Sequence, residues 1–191
     1  KSDEKSESIF APKKKPSPGP YVALAELQEQ QGNIASAEVQ LKKALSIDSN
    51  HLGALLAYAH LEDRQRNFQA AERYYQRALK KHGKNASVHN DMGLCYHRHN
   101  KLFEANKSLS KAVELDPDSK LYRANLAAVL VDQGKNSEAL EQLVQAHGQP
   151  VGHYNLGYLL MQKKDTASAL QHFQEAARLD PTFNEARQWV A

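Results

Sequence analysis

Nine histidines and a single cysteine are the side chains of this 191-residue chain that most readily suggest chemistry. His97 and His99 lie two residues apart, so on a helix they point in different directions, and no third ligand accompanies His60 and His97. The sequence contains no nucleophile motif of the G-x-S-x-G kind and no glycine-rich phosphate loop. Cys95 stands among apolar neighbours, which favours a packed thiol. We therefore expect no catalytic residue, no metal site, no cofactor and no enzymatic activity.

The composition and the charge exclude several other classes of protein. Hydrophobic residues make up 41% and charged residues 25% of the chain, which is ordinary for a globular protein. Residues 1–20 hold five lysines and three acids, so two of the three net positive charges lie there. Because the remainder carries a net charge of only +1, it has too little basic excess to form a face, and nucleic-acid binding is not expected. No apolar run approaches the ~18 residues that would cross a bilayer, so no membrane insertion is expected either.

Small and large residues recur in fixed columns along the chain. Turn residues lie at 34-residue intervals from position 32 to position 134, and the last follows 30 residues later at position 164. The fifth residue after each turn is alanine: Ala37, Ala71, Ala105, Ala139 and Ala169. The twelfth is alanine again: Ala44, Ala78, Ala112, Ala146 and Ala176. Between them lies a bulky column: Leu41, Tyr75, Leu109, Leu143 and Phe173. These columns predict helix pairs that approach closely at the small residues.

The pattern resembles the tetratricopeptide repeat (TPR) family, whose unit is a 34-residue helix–turn–helix. The resemblance implies an all-α fold, a right-handed superhelix built from antiparallel helix pairs. It divides the array into five repeats, 18–51, 52–85, 86–119, 120–149 and 150–183. Residues 184–191 are then a partial capping helix, and residues 1–17 are a flexible linker rich in lysine, serine and proline.

The fourth repeat is four residues shorter than the others. The deficit follows Ala146, and four residues are about one helical turn. We expect the second helix of this repeat to end a turn early, with Gly148 as its stop signal. We also expect the superhelical twist to change between the fourth and fifth repeats.

The resemblance implies that the first helix of each repeat lines a concave groove, which in the family commonly takes a peptide or a helix of a partner. Ten positions are expected to form this site: Asn90, Leu121, Asn125, Ala128, Val131, Val151, Tyr154, Asn155, Tyr158 and Met161. The groove is predicted to be polar in its N-terminal half and apolar in its C-terminal half. Asn125 and Asn155 would hold a peptide backbone through their side-chain amides.

Two alternatives remain open for these positions. The apolar residues would instead pack on the short sixth helix and on one another, and the asparagines would be consensus residues on an exposed face. A chaperone-type clamp for a ligand's C-terminal carboxylate is not expected. The chain offers Arg64, Arg98 and Arg123, but not the arrangement of lysines and asparagines that such a clamp requires.

The resemblance thus predicts a non-catalytic scaffold that binds a protein or peptide partner. One alternative is a TPR fragment that selects substrates for a larger enzyme. Another is an exported or membrane-tethered assembly factor, in which residues 1–20 are a spacer. The location would be cytoplasmic, or exported or membrane-tethered if an N-terminal signal or anchor was removed. Ile9 and Phe10 suggest self-association through the N-terminal tail, against the alternative that the tail has no docking role.

Overall fold

A computed structural model describes residues 16–190, and this part of the chain folds into helices joined by short turns and loops. The helices are α1 Gly19–Gln30, α2 Ile34–Ile47, α3 Leu52–Arg64, α4 Phe68–His82, α5 Ala86–Arg98, α6 Leu102–Leu115, α7 Lys120–Asp132, α8 Asn136–His147, α9 Gln149–Gln162, α10 Thr166–Leu179 and α11 Asn184–Gln188. Helices α1–α10 form five antiparallel pairs that stack into a right-handed superhelix, and α11 packs on α10. The predicted all-α fold is confirmed, whereas Ile9 and Phe10 lie outside the described residues.

Each helix pair closes through the same tight turn. One residue in each turn has a left-handed φ between 57° and 79°: Gly32, Arg66, Asn100, Gly134 and Lys164. The next amide donates to a carbonyl five residues earlier, as Asn33 does to Gln28 at 2.8 Å, which is the Schellman arrangement that ends a helix. Glycine adopts this φ without strain, whereas a side chain there costs about 1 kcal/mol. Arg66 and Lys164 therefore occupy this conformation against their local preference.

The predicted columns form the core of the array. All ten column alanines are buried, and so are the five bulky residues between them. Two glycines of the first helices bring the paired helices closer still. A Cβ on Gly93 would lie 2.6 Å from Leu109 Cγ, and one on Gly157 would lie 2.8 Å from Phe173 Cε1. These distances leave no room for a side chain, so the close approach is part of the packing.

The shortened fourth repeat is joined to the fifth by a much shorter loop than the other repeats have. Helix α8 ends at His147, and Gly148, at φ 82°, is the only residue between α8 and α9. The corresponding loop between α6 and α7 has four residues, 116–119. The predicted stop at Gly148 is confirmed. Most of the missing residues, however, are missing from the loop between α8 and α9, since α8 itself is only slightly shorter than α6, with 12 residues against 14. The change of superhelical twist stays a prediction.

Because a single residue separates α8 from α9, the two helices pack very closely where they meet. A Cβ on Gly152 would lie 2.7 Å from Val144 Cγ2, 2.9 Å from Val144 N and 3.0 Å from Val144 Cα. Two of these three atoms belong to the backbone, which cannot turn aside as a side chain can. Gly152 is therefore the residue that lets α9 follow α8 after a single-residue loop.

The C-terminal end of the array is covered by an aromatic cluster. The ring of Trp189 stacks on Phe173 with centroids 4.8 Å apart, and Tyr154 lies between Phe173 and Phe183 at 5.5 and 5.0 Å. Ala186 of α11 is buried beside them. Within residues 16–190, no helix combines the length and the apolar character needed to cross a membrane.

Candidate peptide-binding groove

Three of the first helices, α5, α7 and α9, carry the ten predicted groove positions and expose them to different extents. Leu121 and Tyr158 are the most open, with 62% and 49% of their surface exposed. Asn90 and Val131 are buried. The other six are partly buried: Asn125, Ala128, Val151, Tyr154, Asn155 and Met161. The structure thus leaves two large apolar side chains of this set available to a partner.

The two tyrosines of α9 differ in their surroundings, since one packs in the aromatic cluster and the other is exposed. Tyr154 contacts Phe173 and Phe183 in the C-terminal aromatic cluster, so its ring contributes to packing. This is the arrangement that the packing alternative describes. Tyr158 lies one turn further along α9 and exposes about half of its surface. A test of the groove therefore belongs on Tyr158, because its replacement disturbs little packing.

The asparagines bind one another across the junction between α5 and α7. The Asn125 side-chain amide donates to Asn90 Oδ1 at 2.8 Å, and the Asn90 amide donates to Asp91 Oδ1 at 3.1 Å. Asn90 is 4% exposed, so its side-chain amide is not available for direct contact with a ligand. Asn155 occupies the same position one repeat later and is partly buried.

The N-terminal half of the groove contains an open cavity of about 780 Å³ between α3 and α5. Its lining is polar and charged apart from one leucine and one tyrosine ring: His60, Asp63, Arg64, Arg66, Tyr75, Asp91, Leu94, Arg98 and His99. His60 Nε2 lies 3.3 Å from Asp91 Oδ2. This lining has the polar character that the sequence predicts for the N-terminal half.

Asp63 is the buried centre of this cavity's charge network. Arg98 Nε donates to Asp63 Oδ2 at 2.9 Å, and His99 Nε2 lies 2.9 Å from Asp63 Oδ1. Burial, together with the nearby Asp63 carboxylate, raises the pKa of the Cys95 thiol to about 12. Cys95 therefore remains protonated and packed, as the sequence predicts.

Asp63, Cys95 and His99 place their donor atoms within 4.8 Å of one another, a grouping that sequence reasoning missed. Cys95 and His99 are four residues apart, which puts them on one face of α5, and that spacing was the available signal. The carboxylate already accepts hydrogen bonds from Arg98 and His99, and the thiol carries its proton. These contacts account for the grouping as a buried Asp63 carboxylate paired with Arg98, with His99 and the Cys95 thiol beside it.

Ion pairs tie successive first helices together near their C-terminal ends. Residues 35 apart pair at three junctions: Glu29 with Arg64, Asp63 with Arg98, and His97 with Asp132. The acid lies on the earlier helix at the first two junctions and on the later helix at the third. Lys163, which follows α9, also pairs with Asp132. The described helices are thus joined by a column of charges whose direction reverses along the array.

The carboxyl groups of Asp63 and Asp132 link the stability of this column to pH. Burial raises the pKa of each, but hydrogen bonds from the basic partners named above outweigh it and lower the pKa overall. A carboxyl whose pKa is lowered on folding stabilises the native state above its unfolded pKa, near 3.9. This stabilisation is lost as the pH falls through the lower folded pKa.

We therefore expect the Asp63→Asn/Asp132→Asn double variant to be less stable than the parent at pH 7 and to lose less stability on acidification. The measurement is the free energy of unfolding in urea at pH 7 and pH 3. An Asp116→Asn/Asp118→Asn variant removes two carboxyl groups from an exposed loop and is the control. An acid-induced loss in the Asp63/Asp132 variant as large as that of the parent would contradict the assignment.

A solenoid of paired helices with an open groove is the architecture of protein-interaction scaffolds rather than of a particular enzyme class. Family models described as tetratricopeptide repeat match residues 19–51, 56–120 and 150–183. The chain belongs to the tetratricopeptide repeat family. The matched stretches flank residues 121–149, where the shortened fourth repeat lies.

Two characterised proteins are similar in sequence. The type IV pilus assembly protein PilF of Pseudomonas aeruginosa is 27% identical over 159 residues, which cover 80% of this chain and 63% of PilF. The human protein O-mannosyl-transferase TMTC3 is 26% identical over 178 residues, which cover 87% of this chain and 19% of TMTC3. The chain therefore spans less than two thirds of either relative.

Solved structures share the fold. The Pseudomonas aeruginosa PilF structure superposes with a TM-score of 0.66 at 25% identity, covering 91% of this chain and 86% of that one. YrrB, described as a TPR protein with an unusual peptide-binding site, gives a TM-score of 0.62 at 23% identity, covering 88% and 89%. MamA gives 0.67 at 16% identity, covering 88% and 94%. The similarity to YrrB and MamA concerns the fold alone.

Proposed function

We propose that this protein is a non-catalytic scaffold that binds a peptide or a helix of a partner protein in its concave groove. The observation that carries the proposal is the exposure of Leu121 on α7 and Tyr158 on α9, both at predicted groove positions on first helices. Tyrosine offers a large, rigid contact surface together with a polar hydroxyl, a combination enriched at protein interfaces. Leucine offers apolar area that gains stability when a partner removes it from water.

The two halves of the groove supply different kinds of contact to one partner chain. The C-terminal half carries Tyr158 beside partly buried Met161, whose flexible side chain adapts to an apolar anchor. The N-terminal half presents the polar cavity between α3 and α5. A partner segment lying along the groove would anchor an apolar residue at α9 and place its polar residues toward α3.

The test is a capture experiment with purified residues 16–191 as bait in lysate of the source organism. A Tyr158→Ala/Leu121→Ala variant is expected to lose about 90% or more of the captured partner, because interface aromatic anchors commonly contribute 2 kcal/mol or more. Phe103→Ala is the matched control, since Phe103 is 77% exposed but lies on a second helix. Circular dichroism should show the same helicity for all three proteins.

Equal capture by the parent and by the Tyr158/Leu121 variant would contradict the proposal. So would loss of the partner on replacement of Phe103, because that result would place the working surface on the second helices. Photo-crosslinking from a benzoylphenylalanine at position 158 provides an independent reading. The crosslinked peptide of the partner would identify the segment that contacts α9.

A second candidate function is that of an assembly factor. It is supported by the similarity to the pilus assembly protein PilF over 80% of this chain. Fractionation of the source organism tests it, with an expected enrichment of the native protein in the cell envelope. Recovery only from the cytosol would contradict it. The similarity to part of TMTC3 supports the further alternative of a substrate-selecting segment of a transferase, which a long native reading frame after residue 191 would favour.

A further inference from the structure

The cavity between α3 and α5 has an unusual floor. Tyr75 belongs to the bulky core column, is fully buried and lines the cavity. Its hydroxyl has no hydrogen-bond partner among the described residues. The other members of the column carry no hydroxyl: Leu41, Leu109, Leu143 and Phe173. Packing at this position therefore does not require the hydroxyl, and burying it without a partner is unfavourable.

Arg66 stands at the rim of the same cavity in the left-handed turn conformation. The equivalent turns of the first and fourth repeats use Gly32 and Gly134. Within residues 16–190 the Arg66 guanidinium makes no ion pair. The turn thus has a residue with an unfavourable backbone φ, and its positive charge forms no ion pair within the described residues.

The remaining charges of the cavity are already matched. Asp63 accepts from Arg98 and His99, and Asp91 lies beside His60. Arg64 donates to Glu29 Oε1 at 2.6 Å. Both cavity carboxylates thus have basic partners. Within the described residues, Arg66 has no acidic partner and the Tyr75 hydroxyl has no hydrogen-bond acceptor. Each of these two groups donates a hydrogen bond, and an anionic acceptor satisfies both.

We propose that this cavity binds the carboxylate side chain of a glutamate or aspartate in an acidic partner segment, which pairs with Arg66 at the rim and accepts from Tyr75 at the floor. The proposal rests on the proposed peptide-binding function and adds the chemistry of the partner. The bound group is assigned as a side-chain carboxylate, because the chain lacks the arrangement of lysines and asparagines that a clamp for a terminal carboxylate requires.

The probe for this site is an N-terminally fluorescein-labelled, C-terminally amidated hexaglutamate peptide, followed by fluorescence anisotropy. Amidation removes the terminal carboxylate, so that binding reports the side chains. Hexaglutamine and hexalysine peptides with the same label are the comparisons. We expect hexaglutamate to bind more tightly than both, and tighter binding of hexalysine would overturn the proposal.

Two matched variants separate a site from general charge attraction. Arg66→Gly and Lys164→Gly each remove one positive charge and each relieve a left-handed turn residue, but only Arg66 borders the cavity. Losing a charge-assisted contact is expected to weaken hexaglutamate binding about tenfold in Arg66→Gly. Lys164→Gly is expected to stay within about twofold, as for charges outside an interface. Equal weakening by both variants, or no measurable hexaglutamate binding to the parent, would overturn the proposal.

Tyr75→Phe tests the floor of the cavity with two readouts of opposite sign. If the hydroxyl is kept for a ligand, its removal weakens hexaglutamate binding and raises the urea midpoint of the free protein, because an unpartnered buried group is lost. A hydroxyl kept for folding would give a lower midpoint and unchanged binding, which would contradict its assigned role. Failure of the acidic probe while capture still depends on Tyr158 would reject this cavity assignment and leave the proposed scaffold function standing.

Discussion

Replacing Phe173 with alanine is expected to lower the free energy of unfolding by about 3–5 kcal/mol, the usual cost of emptying a large core site. Phe173 is fully buried, and its ring stacks on Trp189 and contacts Tyr154. The substitution therefore leaves a cavity and also removes the surface on which the C-terminal aromatic cluster rests. Because repeats are stabilised mainly by their neighbours, we expect the loss to fall first on α9–α11.

Trp189 is the sole tryptophan of the chain, so its fluorescence reports the state of this end. In Phe173→Ala the fluorescence transition in urea is expected to precede the loss of helicity measured by circular dichroism. Leu41→Ala is the matched control, since Leu41 fills the same column in the first repeat and is equally buried. It is expected to lower stability without advancing the fluorescence transition. If the fluorescence and circular dichroism transitions of Phe173→Ala coincided, the array would unfold as one unit, and this prediction would be wrong.

Gly152→Ala is expected to destabilise the protein by roughly 2 kcal/mol, although alanine favours helices over glycine by about 1 kcal/mol. The added methyl group would meet backbone atoms of Val144 at 2.9 and 3.0 Å, so α8 and α9 would have to move apart. Urea unfolding followed by circular dichroism measures the effect.

Gly19→Ala is the control for this substitution, because Gly19 lies in the first turn of α1 and its added Cβ would be 3.9 Å from Ser17 Oγ. With space available, the helix preference of alanine should leave stability equal or slightly raised. A Gly152→Ala variant as stable as the parent would show that the α8–α9 contact tolerates a larger separation.

The repeat period made the fold predictable from sequence. Alanines recurring at two fixed positions after each turn require two helices to cross at those points, and the structure buries every one of them. The stop at Gly148 was predictable as well, because a glycine directly after the last periodic residue is a local stop signal, and Gly148 adopts a φ of 82° that other residues rarely adopt. What could not be read locally was how the loop, rather than the helix, absorbed most of the missing residues.

The candidate site was less predictable, because contacts between neighbouring first helices are offset by one residue from the repeat. Asn90 meets Asn125 and Asp63 meets Arg98 at a separation of 35, whereas the sequence columns align at 34. Aligning the repeats therefore identifies Asp91 as the residue equivalent to Asn125. The alignment does not reveal that the Asn125 side chain donates to Asn90. The burial of Tyr154 also depends on Phe183, which lies in the loop before α11 and follows no repeat pattern.

The reversal in the charge column has a consequence for how such an array can be rearranged by duplication or loss of units. If the second and third repeats were deleted, Glu29 would face Asp132, an acid against an acid. If the third repeat were duplicated, His97 of one copy would face Arg98 of the next. The first arrangement brings two negative charges together, which repel each other. In the second, neither side chain faces the carboxylate with which it now pairs. Each unit thus accepts only certain neighbours, and the existing sequence of repeats is favoured over its permutations.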